Sequence, residues 1–393
     1  MRAVTGGEDR QGASGADEQG RPAETPIPIR IQAAGVLVDL HFRPGLELLG
    51  DEIAHLWRHL IVPERSGDPA LRRTYRRGGA GGGAGDVPVP EGPGGSYVVS
   101  GDVTRQLIGH LAGRRLLLHA GAADVEGIGV VLLLGPSGAG KSTATARLGR
   151  RGRYLTDELT VLDPRTFAVT SYSKPISWVA PRGEGPKRDR PLPDFDLEPA
   201  LGAEAPSHVV LVDRIRPDVD APAGGEGLFR VPLAHALPTV VEQTSSLWRV
   251  PGGLATLATL LHRCGGLLVA RYHEAEVLPE LLADPPPAVT EHWQSVVPRA
   301  TCRPPRREEY AVAPFQDALL LDDSAMILFA GRLISISSVA ALAWYHLASL
   351  GPMSFAEIRA LAVQELGRHP QADAIIDSSL RELVRMGAVE SGG

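Results

Sequence analysis

The segment LGPSGAGKST, residues 134–143, combines residue types that bind phosphate. It fits the pattern G-x-x-x-x-G-K-[ST], in which glycines let backbone N–H groups converge on phosphate oxygens. An apolar run, GVVLLL, precedes it and a helix-forming run, STATARLGRRG, follows it, as expected between a buried strand and a helix N-terminus. In this pattern Lys141 holds the β- and γ-phosphates of ATP, and Ser142 supplies a hydroxyl to Mg²⁺. The candidate nucleotide-binding residues of the loop are Gly135, Pro136, Ser137, Gly138, Ala139, Gly140, Lys141, Ser142 and Thr143.

Two adjacent acids, Asp157 and Glu158, follow the loop in LTDELTVLD. Phosphoryl transfer needs metal-binding carboxylates and a group that orients or deprotonates the acceptor, so this pair is the catalytic candidate. Neighbouring side chains of a strand point to opposite faces, and both acids therefore reach one site only if the strand ends there. The alternative interpretation is an exposed acidic strand end.

Two further residues are candidates for the same site. His119 ends an apolar strand that we expect beside the strand of the loop, where a histidine is either functional or a satisfied core residue. Only three of the 40 basic residues are lysines, namely Lys141, Lys174 and Lys187. A lysine kept in an arginine-rich chain suggests a need for a compact ammonium, although genomic chance also leaves a few. Lys174, in SYSKPISW, is therefore a candidate for nucleotide binding.

Composition and charge narrow the classes of function. The 393 residues have room for two or three domains, and a net charge of -6 argues against a general nucleic-acid binder. No apolar run reaches the length of a membrane span, and the N-terminus lacks the apolar segment of a secretory signal, so we expect a cytoplasmic protein. The two cysteines, Cys264 and Cys302, make neither a metal quartet nor a disulfide framework.

The order of strand, helix and linker patterns predicts several domains. The chain divides into a disordered tail (1–26), a small α+β region (27–71), a Gly/Pro-rich loop or linker (72–96), an ATP-binding domain (97–283), a Pro-rich linker (284–307) and a C-terminal domain (308–393). In the last domain, three strand-like runs and three helical runs suggest an α+β winged-helix module. Ser354 and Glu357 there form a capping box, and Gly387 ends the last helix.

The segment LHAGAADVEGIGVVLLLGPSGAGKSTATARLGRRGRYLTDELTVLD, residues 118–163, resembles the HPr kinase/phosphorylase family. It shares with that family a histidine at a strand end, a short connection, an apolar strand, the GxSGxGKS loop and an acidic pair after RG-x-x-L. SYSKPISW (171–178) is similar to the YPKPLSL-type segment of the broader HPr kinase-like group, which includes kinases of gene clusters for modified ribosomal peptides. The resemblance covers roughly 97–283 and is specific through 118–178.

This resemblance implies an α/β fold with the mixed sheet of phosphoenolpyruvate carboxykinase-type ATP enzymes. It implies that His119 helps to orient the site and that Asp157 acts on the acceptor hydroxyl or on Mg²⁺. Glu158 replaces the second aspartate of the family pair, which leaves the geometry of the base open. No counterpart of the RGRNVA-like signature linked to dephosphorylation is present, so phosphorylase activity is not implied. The family also forms oligomers, but no surface in this sequence identifies a homo-oligomer.

Residues 308–391 resemble the PqqD-like family of peptide-recognition domains. The similarity lies in DALLLDDSAMILFAGRLISISSVAALAWYHLASLGPMSFAEIRALAVQEL and IIDSSLRELVRMGAVES. It implies that a leader peptide adds as a strand to a sheet edge, which we expect at RLISIS (332–337) beside the last helix (375–386). The segment of that helix, DAIIDSSLRELVRMG (373–387), carries two arginines against three acids, so a nucleic-acid partner is not expected.

Together these features predict an ATP- and Mg²⁺-dependent kinase that phosphorylates a Ser or Thr hydroxyl of a ribosomally made precursor peptide. The C-terminal domain would recruit the peptide, and tethering would raise its concentration at the site. Two alternatives stay open: a nucleotide-binding peptide chaperone or scaffold without phosphotransfer, and a kinase of a small-molecule alcohol.

Overall fold

The computed structural model describes residues 28–79, 83, 85–90, 92, 94–178, 187–215, 225–289, 291–298, 303–329 and 331–392. The tail predicted to be disordered (1–26) and Cys302 lie outside these ranges. The chain is mixed α/β with several sheets, as the sequence predicts at the level of fold class. Within the described part of the chain, none of the helices has the length and apolar character needed to span a membrane.

The elements are numbered in chain order. The helices are α1 Glu47–Leu56, α2 Gly95–Leu111, α3 Lys141–Gly149, α4 Leu233–Glu242, α5 Gly253–Arg263, α6 Leu278–Ala283, α7 Ser338–Leu350, α8 Phe355–Leu366 and α9 Ala372–Met386. The strands are β1 Ile29–Ala33, β2 Val36–Phe42, β3 Leu71–Arg77, β4 Val87–Val89, β5 Leu116–Leu118, β6 Gly121–Val125, β7 Gly129–Leu134, β8 Gly152–Thr156, β9 Thr160–Leu162, β10 Val169–Thr170, β11 Ile176–Trp178, β12 Arg188–Arg190, β13 Gly202–Ala203, β14 His208–Arg214, β15 Gly227–Val231, β16 Thr244–Ser245, β17 Leu267–Tyr272, β18 Trp293–Val296, β19 Glu309–Val312, β20 Asp317–Leu321, β21 Ser324–Phe329, β22 Arg332–Ser337, β23 Met353–Ser354 and β24 Val389–Ser391.

The N-terminal region is a four-stranded sheet in the order β1–β2–β3–β4, packed against α1 and α2. β1 and β2 form an antiparallel hairpin. Its turn residues, Ala34 and Gly35, both have positive φ, the geometry that matches the twist of two-residue hairpins.

The segment 72–96, predicted to be a loop or linker, is partly β-structure, because β3 and β4 extend the N-terminal sheet in parallel. Tyr75 of β3 is buried and stacks on Phe42, with ring centroids 5.3 Å apart. Arg73 pairs with Asp102 of α2 at 2.8 Å. The strand escaped sequence-based recognition because most of its residues are arginines, so it lacks the apolar alternation that marks a strand.

The central sheet has the order β15–β17–β14–β7–β6–β8 and carries the phosphate loop after β7. β7, β14 and β17 are mutually parallel, whereas β6 runs antiparallel to both β7 and β8. Leu132 and Leu134 pack with the core that includes α4 and α5, and Val131 and Leu133 pack with α3 and α6. The continuous apolar run of β7 is therefore buried on both faces, as predicted.

A second sheet, antiparallel throughout, has the order β13–β10–β9–β5–β16. Its strand β5 contributes Leu116 and Leu118 to the central core and Leu117 to the core around α2. This alternation places the second sheet between the N-terminal region and the central sheet.

The C-terminal region contains the antiparallel sheet β18–β20–β21–β22, the small sheet β23–β19–β24 and helices α7–α9. The three predicted strand runs are β20, β21 and β22. The capping box of Ser354 and Glu357 is confirmed, and Gly387 ends α9 in the left-handed conformation at φ 76°. One difference concerns 284–307, predicted to be a linker, where β18 pairs with β20 because WQSV is a short β-forming run between prolines.

The C-terminal sheet packs against the central region. Leu319 and Met326 of this sheet belong to the central core, whereas Ala325 and Ile327 on the opposite face pack with α7–α9. The carboxylate of Asp317 accepts hydrogen bonds from the first backbone N–H groups of α5, at 2.7 Å and 3.0 Å. This contact satisfies otherwise unpaired helix donors and joins the two regions.

Candidate active site

The phosphate loop is shaped by three glycines with positive φ. Gly135, Gly138 and Gly140 have φ values of 151°, 81° and 93°, which side-chain-bearing residues rarely adopt. An added Cβ at Gly135 would also lie 2.9 Å from Cγ2 of Val212. Since α3 begins at the next residue, Lys141, the loop places backbone N–H groups at the positively polarised end of the helix. This arrangement suits a phosphate group.

Lys141 lies folded against its own loop. Its Nζ donates to the backbone oxygens of Gly135 at 2.6 Å and Pro136 at 3.2 Å, and the residue is 7% exposed. Burial lowers the pKa of Lys141, and the nearby Asp157 and Glu158 partly offset that effect. The ammonium is therefore held at the mouth of the loop, where phosphate oxygens can replace the carbonyl partners.

Asp157 and Glu158 follow directly after β8, which ends at Thr156. The Thr156 hydroxyl accepts from the backbone N–H groups of Glu158 and Leu159, both at 3.3 Å, and so stabilises a turn. The strand therefore ends where the sequence argument requires it to end, and both acids line the same cleft.

Lys174 contacts both acids. Its Nζ lies 3.5 Å from Oδ1 of Asp157 and 3.2 Å from Oε2 of Glu158, and the residue is 1% exposed. Burial alone would lower the pKa of Lys174, but Asp157, Glu158 and Asp189 together raise it above its ordinary value. The interpretation of Asp157 and Glu158 as an exposed acidic strand end is wrong for Asp157, which is buried; Glu158 is partly exposed, and both acids pair with Lys174.

Four residues of this cluster were not predicted from the sequence: Tyr154, Ser177, Asp189 and Ser100. The Tyr154 hydroxyl donates to Oδ1 of Asp157 at 3.0 Å. Ser177 donates to Oδ1 of Asp189 at 2.8 Å, and Ser100 donates to the other carboxylate oxygen. Burial raises the pKa of Asp189, with Lys174 opposing the shift. Asp189 lies between two arginines in sequence, which is typical of an exposed position, so no local signal marks it.

His119 lies just beyond β5, and its side chain lines the cleft. Its strand belongs to the second sheet and pairs with β9 and β16, so the expectation that it lies beside β7 is wrong; β6 takes that place. The backbone N–H of His119 donates to the oxygen of Gln243 at 2.6 Å. Partial burial and the charge of Lys141 lower the pKa of His119, while Glu158 and Asp157 oppose the shift. Although neighbouring groups partly desolvate its imidazole, the residue is solvent-exposed, so His119 is not a core residue.

These groups share one cleft of about 510 Å³. Of the residues predicted from the sequence, its lining includes His119, Ser137, Gly138, Gly140, Lys141, Ser142, Thr143, Asp157, Glu158 and Lys174. Tyr97, Lys187 and Arg214 also line it. Lys187 lies 5.6 Å from the ring centroid of Tyr97, and Arg214 pairs with Glu274 at 3.0 Å. The other predicted loop residues, Gly135, Pro136 and Ala139, shape the loop, the first two through their bonds to Lys141 and the third through a turn.

The donor set of the cleft suits Mg²⁺. The hydroxyl of Ser142 and the carboxylates of Asp157 and Glu158 supply hard oxygen ligands. Among the described residues, no group of three or more His, Cys, Asp and Glu side chains is arranged to hold a metal ion. Mg²⁺ bound with nucleotide takes only one or two carboxylates and completes its shell with phosphate oxygens and water, so this small set fits it.

In comparisons with known proteins, no protein-family model matches this chain, and no curated protein matches it either.

Proposed function

We propose that this chain is an ATP- and Mg²⁺-dependent kinase that phosphorylates a Ser or Thr hydroxyl of a ribosomally made precursor peptide. The observation that carries the proposal is the convergence of the phosphate loop, Lys141, the acidic pair and His119 in a single cleft. Phosphoryl transfer depends mainly on positioning and on neutralising charge, and these residue types supply both.

Each residue of the cleft has its own role in the proposed reaction. The loop amides and Lys141 bind the β- and γ-phosphates, and Ser142 with Asp157 holds Mg²⁺. The ion would neutralise charge on the transferred phosphoryl group. Asp157 or Glu158 aligns the acceptor hydroxyl, and His119 orients groups at the opposite wall of the cleft. Lys174 keeps the acids in place, a role that differs from the direct nucleotide contact expected from the sequence.

The central region is proposed to be a phosphoenolpyruvate carboxykinase-type core. Its support is the mixed strand order, in which antiparallel β6 lies beside the loop strand β7 and separates it from the edge strand β8. In the same way, the strands, the capped α8 and the final α9 of the C-terminal region support a winged-helix, PqqD-like module.

The edge strand β22 is the proposed site of peptide addition. It ends the four-stranded sheet and pairs with β21. Leu333 and Ser335 of β22 share a cleft of about 450 Å³ with Val241 and Trp248 of the central region. That cleft adjoins β16, which pairs with β5, the strand that leads into His119. A peptide added to β22 would therefore lie on a short path to the candidate active site.

Incubating the full chain with ATP and the short peptides encoded beside its gene tests the proposal. We expect one peptide to gain the mass of a single phosphoryl group. A peptide that binds but never changes mass contradicts kinase activity. Phosphorylation of small alcohols but of no peptide, in a screen with labelled ATP, would favour the small-molecule kinase.

A second candidate, a nucleotide-binding peptide scaffold, is favoured by one observation. Oδ1 of Asp157 already has two partners, the Tyr154 hydroxyl and the Lys174 ammonium, which reduces its strength as a base. The variant Asp157→Asn separates the two functions. For a kinase we expect phosphotransfer to fall by about 100-fold or more with peptide affinity unchanged. For a scaffold, the wild-type protein and the variant bind peptide equally and neither transfers phosphate.

A further inference from the structure

All three lysines of the chain line the candidate active-site cleft. Every other basic residue among the 40 is arginine, so lysine is the exception in this sequence. Lysine differs from arginine in presenting a compact charge that donates in several directions rather than in a plane. The two buried lysines, Lys141 and Lys174, place compact cations at fixed positions in this cleft.

Lys174 is the most enclosed of the three lysines. Its ammonium lies 3.2 Å from Glu158 and 3.5 Å from Asp157, and it donates to the backbone oxygen of Pro175 at 3.1 Å. It also donates to Ser177 at 3.3 Å, and Ser177 is held in turn by Asp189. The contacts come from several directions, so the ammonium occupies a fixed position between the two acids.

A carboxylate pair at a phosphoryl-transfer site can bridge two divalent ions about 4 Å apart. Such bridging needs two cation positions in contact with both acids. Here the ammonium of Lys174 already contacts both acids and so occupies one of these positions. A planar guanidinium could not make the same four contacts in so enclosed a space.

We propose that the ammonium of Lys174 is a permanent cation of this cleft that takes the place of a second divalent ion. The nucleotide-bound protein would then hold a single divalent ion. Lys174 acts as a positioning residue, because it holds the acids and contacts neither the loop nor the described phosphate-binding groups. The proposal rests only on the nucleotide-binding part of the proposed function and requires no acceptor.

The test is a Mn²⁺ titration of the full chain, followed by electron paramagnetic resonance, in the presence of the non-hydrolysable nucleotide AMP-PNP. We expect the wild-type protein to bind one Mn²⁺ per chain. Lys174→Met should bind two, the second more weakly, because it opens the position between the acids. Lys187→Met is the matched control: it removes an exposed lysine of the same cleft and should still bind one.

Removal of Lys174 leaves two acids without their cation, so the fold of the variant is checked by thermal melting. The double variant Lys174→Met/Asp189→Asn also removes a neighbouring negative charge, so it should fold more readily than Lys174→Met alone. If neither variant folds, the wild-type titration still tests the proposal: one bound Mn²⁺ per chain supports it, and two bound Mn²⁺ per chain overturn it. A folded Lys174→Met protein that binds one Mn²⁺ also overturns it.

These outcomes separate the inference from the proposed function. Absence of AMP-PNP binding by the wild-type protein contradicts both. Nucleotide binding with two Mn²⁺ contradicts only the role of Lys174. One Mn²⁺ without any phosphorylated product would retain the permanent cation and favour the scaffold over the kinase.

Discussion

The two walls of the candidate cleft hold their charges in different ways. The loop wall comes from one continuous segment, 134–149, in which glycine conformations and a helix end create the binding geometry. The acid wall assembles Asp157, Lys174 and Asp189 from separate segments, and side-chain contacts hold them together. The first wall is a property of local backbone, whereas the second exists only when the tertiary structure is complete.

This difference predicts different consequences of removing a charge. On the loop wall, Lys141 bonds only to carbonyl groups of its own loop among the contacts described, so its loss should affect ligand binding and leave the fold intact. On the acid wall, each charge is part of the packing, so its loss should affect stability as well as activity. The three predictions below test that contrast.

The largest effect is expected for Lys141→Met. In the proposed kinase its ammonium neutralises charge on the transferred phosphate, so phosphotransfer should fall by about 100-fold or more. The melting temperature should stay close to that of the wild-type protein. Labelled-ATP assays and thermal melts measure the two quantities. Lys187→Met, in the same cleft, should lose much less activity. An unfolded Lys141→Met protein would contradict the prediction, because charges on both walls would then be needed for stability.

The same contrast explains which features the sequence predicts. The loop and the start of α3 follow from residues that are neighbours in the chain, since glycine and lysine act locally, whereas the end of β8 was only a condition for both acids to reach one site. The position of β5 in a second sheet does not follow, because strand order depends on which apolar faces are covered by distant helices. Asp189 gave no signal, because its partners Ser100 and Ser177 lie 89 and 12 residues away.

The C-terminal region illustrates the same rule. The capping box at Ser354 and the glycine at Gly387 are local chemistry, and both were predicted correctly. The contact of Asp317 with the N-terminus of α5 spans more than sixty residues and could not be predicted from either segment alone. β3 was missed for a related reason: its arginines find partners such as Asp102 only in the folded protein.

An intermediate effect is expected for Tyr154→Phe. The ring stays in its apolar surroundings of Ile176, Leu192 and Leu197, while the hydrogen bond to Asp157 is lost. We expect a loss of about 1 kcal/mol in the free energy of unfolding, together with a measurable loss of phosphotransfer, because Asp157 is less well oriented. Urea titration and the labelled-ATP assay measure both.

The matched control for Tyr154 is Tyr172→Phe. Tyr172 is equally buried, and its hydroxyl pairs with Thr104 rather than with an acid of the cleft. It should lose a similar stability and retain phosphotransfer. Equal activity losses in the two variants would mean that Tyr154 acts only through packing, and the acid wall would then not depend on that hydrogen bond.

The smallest effect is expected from the titration of His119. Partial burial and the charge of Lys141 lower its pKa, so between that value and about 6.5 the unfolded chain binds the proton more readily than the folded protein. Stability should therefore rise with pH across this window and fall as the solution is acidified. His119→Asn should show a shallower dependence of stability on pH in urea titrations from pH 5 to pH 7.

His208→Asn is the control, because burial also lowers the pKa of His208. It should flatten the stability profile similarly, but only His119→Asn should alter the pH dependence of AMP-PNP affinity, since only His119 lines the cleft beside Lys141. Equal effects of the two variants on nucleotide affinity would mean that His119 does not contribute to the nucleotide-binding site.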